Sequence, residues 1–151
     1  MNNPIEKTIE VGCDADRAFE IFTTEINRWW PLDAHSVSAM DGKAAQSILL
    51  DPKVGGALTE ISHDGQQHRW GTVKAWEPAK RLVLAWHINT PVSEATEVEL
   101  TFTPLGDNLS RVDLTHRGWE KLGDRASSMR EGYNSGWVNV FEVRYAGACA
   151  G

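Results

Sequence analysis

The stretch Ala57-Leu58-Thr59-Glu60-Ile61-Ser62-His63-Asp64-Gly65-Gln66-Gln67-His68-Arg69-Trp70-Gly71-Thr72-Val73-Lys74-Ala75-Trp76 sets the reading of the whole chain. Apolar and polar residues alternate on both sides of Asp64-Gly65. Asp-Gly between two alternating runs is a two-residue hairpin signal. It predicts strands over Ala57–His63 and Gln66–Trp76. With Asp64 and Gly65 as the central turn residues, His63 faces Gln66, Ile61 faces His68, Glu60 faces Arg69 and Thr59 faces Trp70. Glu60 and Arg69 then make a cross-strand charge pair on an outer face, while Thr59, Ile61, His68 and Trp70 share the inner one.

The period of two continues outward from this hairpin, from Gln46 to Arg117. Gln46–Asp51 reads as a short strand ended by Pro52 and Gly55-Gly56. Glu77-Pro78-Ala79-Lys80 turns the chain into Arg81–Ile88, and Asn89–Ala95 is a loop. Thr96–Thr103 and Leu109–Arg117 form a second hairpin. Parity places Trp70, Thr72, Leu82, Leu84, Trp86, Val98, Leu100, Phe102, Val112, Leu114 and His116 on one side. Arg69, His87, Glu97, Glu99, Thr101, Asp113 and Arg117 fall on the other. An apolar face backed by a charged one suits a half-buried antiparallel sheet. Lys74 breaks the pattern, which calls for either a bulge nearby or an apolar stem with its amine in water.

Helical signals bracket this sheet. Ile5, Lys7, Ile9 and Val11 alternate as a first strand. Asp14 is an N-cap with Asp16 in the first turn, and Ala15, Ala18, Phe19, Phe22 and Ile26 follow at helical spacing. Pro31 ends the helical pair near Trp29-Trp30, and residues 31–44 read as loop. From about Asp124 to Ala148, Ala126, Met129, Tyr133, Trp137, Val140, Phe141 and Arg144 mark one face of a long helix. Gly132 and Gly136 each cost that helix about 1 kcal/mol relative to alanine and point to close packing or a bend. The fold class is α+β: a curved antiparallel sheet wrapped around a long C-terminal helix, with two short N-terminal helices.

The 151 residues suit one domain, 1–151, with one core. No apolar run approaches the length of a membrane span, and the N-terminus carries no secretory pattern, so the cytoplasm is the expected compartment. Net charge of −6 argues against nucleic acid as a partner. Cys13 and Cys149 lack CxxC spacing, and a disulfide between them runs against the cytosolic expectation. Neither HExxH, GxSxG nor a Gly-rich phosphate loop occurs, so no metal and no cofactor is expected. Seven tryptophans are the conspicuous excess. Large rings on the inward faces either fill a core or line a hollow.

Several strings, in order, resemble one family. They are Ala15-Asp16-Arg17-Ala18-Phe19, Trp29-Trp30-Pro31, Val54-Gly55-Gly56, and Asp64-Gly65 followed by Trp70-Gly71-Thr72-Val73. Glu77-Pro78-Ala79-Lys80-Arg81-Leu82, Ala85-Trp86, Leu114-Thr115-His116-Arg117-Gly118-Trp119 and Gly136-Trp137 complete them. Together they resemble the activator of heat-shock-protein-90 ATPase homologue-like family, within the START-like (SRPBCC, birch-pollen-allergen-like) superfamily. The resemblance covers nearly the whole chain. It implies a helix-grip fold with a cavity between sheet and helix, and a hydrophobic small molecule as ligand. The chain is too short for the separate chaperone-binding domain of the eukaryotic co-chaperone.

On this reading the ligand-binding candidates are Trp30, His68, Trp70, Trp86, His116, Tyr133 and Trp137. Trp70, Trp86, Tyr133 and Trp137 wall a pocket or pack a solid core, and Trp29-Trp30 either close one end or staple the helical pair to the sheet. His116 either orients a ligand and exchanges protons, or is a core histidine bonded to a carbonyl or a helix side chain. His68 sits near the cavity mouth, and His35 lies in a loop that can cover it. Three function classes follow. The first is binding of a small hydrophobic or aromatic molecule. The second is a cyclase- or hydrolase-type enzyme using His116. The third is a chaperone-associated interaction module exposing Trp76 or Trp119. A homodimer is allowed but not specified.

Overall fold

The computed structural model describes residues 3–88 and 90–150. The expected loop start at Asn89 and the terminal Met1-Asn2 lie outside the described residues. The strands are β1 (Ile5–Val11), β2 (Ser47–Leu50), β3 (Ala57–Ile61), β4 (Gln67–Glu77), β5 (Arg81–Trp86), β6 (Thr96–Gly106) and β7 (Leu109–Arg117). They form one antiparallel sheet in the order β1-β7-β6-β5-β4-β3-β2. Two short helices follow β1: α1 (Ala15–Phe22) and α2 (Ile26–Trp29). The Asp14 side chain accepts the Arg17 N–H at 2.8 Å and caps α1 as the sequence predicts.

The long C-terminal helix closes the fold. A 3₁₀ stretch (Trp119–Arg125) leads into α3 (Ala126–Trp137), a π-helical segment (Val138–Tyr145) and α4 (Ala146–Ala150). Trp137, Val140, Phe141, Tyr145 and Cys149 are its buried residues beyond Ala126. Arg144, expected to continue the apolar stripe, is exposed instead. The wide turns of the π segment carry Tyr145 to the inner side, where its ring stacks on Phe141 at 5.7 Å.

Leu82, Leu84, Val98, Leu100, Phe102, Val112 and Leu114 point inward and are buried, in the alternation the sequence predicts. Each such side chain contributes about 2 kcal/mol of transfer free energy. On the outer face, Arg81 pairs with Glu77 and Glu99, and Arg117 with Glu97 and Glu99. His87, expected on that charged face, is buried just beyond the end of β5, and its backbone N–H reaches the Trp70 carbonyl at 2.7 Å.

The register of the first hairpin differs from expectation, and the cause is the length of its turn. The Ser62 N–H donates to Gln66 O at 2.8 Å and the Gly65 N–H to Ser62 O at 2.9 Å. The turn therefore holds His63, Asp64 and Gly65, with Gly65 at φ +83°, rather than Asp64 and Gly65 alone. Near the turn, Ile61 faces Gln67, Glu60 faces His68 and Thr59 faces Arg69. Glu60 is thereby turned into the interior, where it is 0% exposed, so the expected Glu60–Arg69 pair does not form.

A bulge between Leu58 and Thr59 then absorbs Trp70 and restores the expected pairing, Leu58 with Gly71. Parity past the bulge puts Val73 inside and Thr72 outside, where Thr72 accepts a hydrogen bond from Arg69 Nη2 at 2.9 Å. A second bulge between Val73 and Ala75 leaves Lys74 exposed. It is the first of the two explanations for that residue.

Candidate functional site

Between the end of the sheet, the C-terminal helix and the loop after α2 lies a cavity of about 300 Å³. Four aromatic side chains wall it: Trp30, Trp86, Tyr133 and Trp137. Ala34, His35, Ser36, Ala39 and Met40 come from the loop, Ile88 from beyond β5, and Gly136 and Val140 from the helix. Trp86 is the last residue of β5, so its ring stands where sheet packing gives way to open space. Trp86–Trp137 ring centroids are 5.5 Å apart, Trp30–Trp86 6.1 Å and Trp30–Trp137 6.3 Å.

The loop that roofs the cavity is held from both sides. Pro31 starts a turn in which the Ala34 and His35 N–H groups reach Pro31 O. The Trp30 indole N–H donates to His35 O at 2.7 Å. Ser36 Oγ donates to Leu32 O at 2.7 Å and accepts the Ala39 N–H at 3.0 Å. From the sheet, the Glu60 carboxylate accepts the Val37 N–H at 2.7 Å, and the Ser38 N–H and hydroxyl each at 3.0 Å. It also accepts the Trp70 indole N–H at 3.1 Å. Four donors thus repay the desolvation of a fully buried carboxylate.

The tryptophan N–H groups are largely committed within the protein. Trp29 donates to Ile21 O, Trp30 to His35 O, Trp70 to Glu60, Trp86 to Tyr133 Oη, Trp119 to His116 O and Trp137 to His116 Nδ1. The cavity wall therefore offers ring faces. Polar chemistry at the wall falls to Tyr133 and His35. Tyr133 accepts the Trp86 N–H at 3.1 Å, which leaves its own hydroxyl proton free to donate. Burial raises the Tyr133 pKa, so the hydroxyl stays protonated at neutral pH. Burial holds the half-buried His35 imidazole below its ordinary pKa. The nearby Arg144 cation adds to this and Asp33 opposes it.

His116 lies behind the wall. It is 0% exposed, with its ring 6.4 Å from Trp86 and 4.9 Å from Tyr133. The Trp137 indole can only donate, so His116 Nδ1 is the acceptor in their 3.1 Å bond. The proton then sits on Nε2 and is donated to Thr96 Oγ1 at 2.7 Å. Thr96 in turn donates to Trp86 O at 3.2 Å. Burial pushes the imidazole down to about 3, so it is neutral at physiological pH. This chain fixes the orientation of Trp137 and ties it to the backbone of Trp86.

Of the residues singled out from the sequence, Trp30, Trp86, Tyr133 and Trp137 meet at the cavity. Trp70 sits one layer deeper, 5.2 Å from Trp30 and 6.3 Å from Trp86. His68 faces Glu60 across the hairpin and is not among the lining residues. Trp119 is fully buried and Trp76 packs edge-on against Phe19 at 4.9 Å. The surface-module reading thus loses Trp119 as an exposed contact. Among the described residues no group of three His, Cys, Asp or Glu side chains is placed to share a metal ion. The loop residues Ala34, Ser36, Ala39 and Met40 carry no periodic signal and were not foreseeable. Gly136 and Val140 share the helix segment of Tyr133 and Trp137.

Residues 13–141 match the family described as Activator of Hsp90 ATPase homolog 1-like protein. The chain belongs to that family. Among solved structures, "An anthrahydroquino-Gama-pyrone synthase Txn09 complexed with SUM" is 27% identical, over 96% of each chain, with a TM-score of 0.67. The self-sacrificing resistance protein CalC from Micromonospora echinospora is 22% identical over 98% of this chain and 94% of its own, with a TM-score of 0.72. The Aha1 dimer from Colwellia psychrerythraea is 17% identical over 95% and 97%, with a TM-score of 0.62. The last two similarities establish the helix-grip fold for this family member. No curated protein matches the chain.

Proposed function

We propose that this protein binds a small, flat, largely apolar molecule, aromatic by preference, in the cavity between the sheet and the C-terminal helix. One observation carries the reading. Four aromatic side chains surround about 300 Å³ of space while the three indole N–H groups among them are satisfied inside the protein. Such a wall selects by shape and ring stacking. Tyr133 and His35 supply the few polar contacts that set orientation. The anthrahydroquino-Gama-pyrone synthase Txn09, similar over nearly its whole length and complexed with SUM, supports the same use of the fold. The expected setting is cytoplasmic. No helix among the described residues is long and apolar enough to cross a membrane.

The test is tryptophan fluorescence titrated with a panel of aromatic and aliphatic compounds, together with native mass spectrometry. Saturable quenching at one ligand per chain, lost in Trp86→Ala, supports the reading. No saturable response and no retained ligand mass rejects it. The same spectra report whether the chain is the homodimer that its sequence allows.

Catalysis is a second reading, favoured by the 27% identity to a synthase. In that case proton exchange belongs to His35, which lines the cavity, and not to His116, which is sealed behind it. His35→Gln then keeps ligand binding and loses conversion, as followed by product mass.

A further inference from the structure

The two tyrosines of the chain use their hydroxyls differently. Tyr145 donates to Ala18 O at 2.6 Å and pins the end of the C-terminal helix to α1. Tyr133 accepts the Trp86 indole N–H at 3.1 Å and donates to no acceptor among the described residues. Its ring is held between neighbours, with His116 at 4.9 Å and Trp119 at 5.8 Å. Neither can take the proton. Both His116 nitrogens are occupied, Nδ1 by the Trp137 N–H and Nε2 by its bond to Thr96 Oγ1. The Trp119 N–H is itself a donor, bonded to His116 O. The Trp86 indole is likewise a donor only. Tyr133 thus has a proton to give, and the three rings that touch it hold nothing to receive one. Accepting the Trp86 N–H also polarises the phenol and makes its O–H a better donor.

This inference rests on the cavity-binding reading and adds the class of molecule. We propose that the ligand is an aryl ketone or quinone whose ring carbonyl oxygen accepts the Tyr133 hydroxyl proton. A carbonyl oxygen lies in the plane of its rings, with its lone pairs directed outward in that plane. A flat molecule lying against indole faces therefore presents its acceptor at its rim. Tyr133 Oη sits at the rim of the Trp86 ring, beside the indole nitrogen. A phenol or alcohol in the same position brings a proton of its own, for which the surrounding rings hold no acceptor. A plain hydrocarbon leaves the Tyr133 proton unmet. No Asp, Glu, Lys or Arg lines the cavity among the described residues, so discrimination falls to hydrogen bonds rather than charge.

The experiment measures Kd for fluorene, fluorenol and fluorenone, which share one ring frame, in fluorescence or calorimetric titrations of the full chain. Fluorenone should bind the wild type about tenfold more tightly than the other two, the size of one neutral hydrogen bond. In Tyr133→Phe the three compounds should bind within about threefold of one another. Trp86→Phe removes the indole N–H and keeps Tyr133, so the fluorenone preference should persist there. The infrared carbonyl stretch of bound fluorenone gives a readout that needs no variant: it should lie below its position in hexane.

Equal binding of all three compounds to the wild type would overturn the proposal and leave the cavity-binding reading standing. So would a fluorenone preference that survives Tyr133→Phe, or a carbonyl stretch that does not move. If none of the three binds saturably, the cavity-binding reading falls and the proposal falls with it.

Discussion

Trp70 donates its indole N–H to Glu60 Oε1 at 3.1 Å, across a hairpin whose three-residue turn sets Glu60 on the same inner face as Trp70. The same carboxylate holds the Val37 and Ser38 amides of the loop roofing the cavity. One side chain on β3 therefore couples the tryptophan layer to the roof. Glu60→Gln places an NH₂ group among donors and is expected to cost about 3 kcal/mol in urea unfolding. In the fraction that folds, ligand Kd should rise several-fold as the roof loosens. A variant with wild-type stability and affinity would rule out this anchoring role.

Trp86 and Trp137 supply adjoining parts of the cavity wall, their rings 5.5 Å apart. Trp86→Ala should weaken ligand binding by about 1.5–3 kcal/mol, roughly ten- to a hundredfold, in a fluorescence or calorimetric titration. Trp70→Phe, one layer back, should lower stability and leave Kd within a factor of about 3. If the two changes affect binding equally, the partition between wall and second layer is wrong.

His116 makes stability depend on pH in a defined direction. Its folded pKa, about 3, is far below the unfolded value near 6.5. Between those limits the unfolded chain binds the additional proton. The contribution is complete above pH 6.5 and falls by about 1.4 kcal/mol per unit as pH drops toward 3. Burial shifts His35 and His87 in the same sense. Denaturant midpoints measured from pH 7.5 to 4 should decline, and His116→Gln should flatten the slope. A flat wild-type profile would contradict the buried neutral imidazole.

At Gly136 an added Cβ would lie 3.5 Å from His35 Cε1, an ordinary contact distance. Gly136→Ala should therefore be tolerated and raise helix stability by up to about 1 kcal/mol. The methyl would occupy space that a ligand uses. A higher Tm with weaker binding is the expected pair of results. Tighter binding would place the ligand elsewhere.

Much of the architecture was readable because burial imposes a clear alternation on β5, β6 and β7, and because Asp14 and Pro31 mark the limits of the helical pair. The family resemblance carried the helix-grip expectation further. The inner placement of Glu60 was not readable. Asp64-Gly65 is compatible with two turn lengths, and one additional turn residue reverses the face of the β3 side chains while His68, Arg69 and Trp70 on β4 keep theirs. His116 was located correctly by parity, but its partners were invisible: Trp137 comes from a helix whose rotation no strand pattern reports. The loop wall was hidden for a related reason. Ala34, Ser36, Ala39 and Met40 acquire their places from hydrogen bonds to Leu32 and Glu60, not from any period.

The wide turn of the C-terminal helix has a consequence for chain length. The Ala146 N–H reaches back to Phe141 O, one residue farther than an α-helix allows. Such turns arise where a helix accommodates a surplus residue. Between 138 and 145 the chain thus carries slack, and losing one residue there would let the segment tighten into α-helix. The same deletion in α3 would rotate everything after it by about 100°, separating Trp137 from His116 or Tyr145 from Ala18. Length variation in this helix should therefore be tolerated in one short window only, between the wall of the cavity and the anchor at its far end.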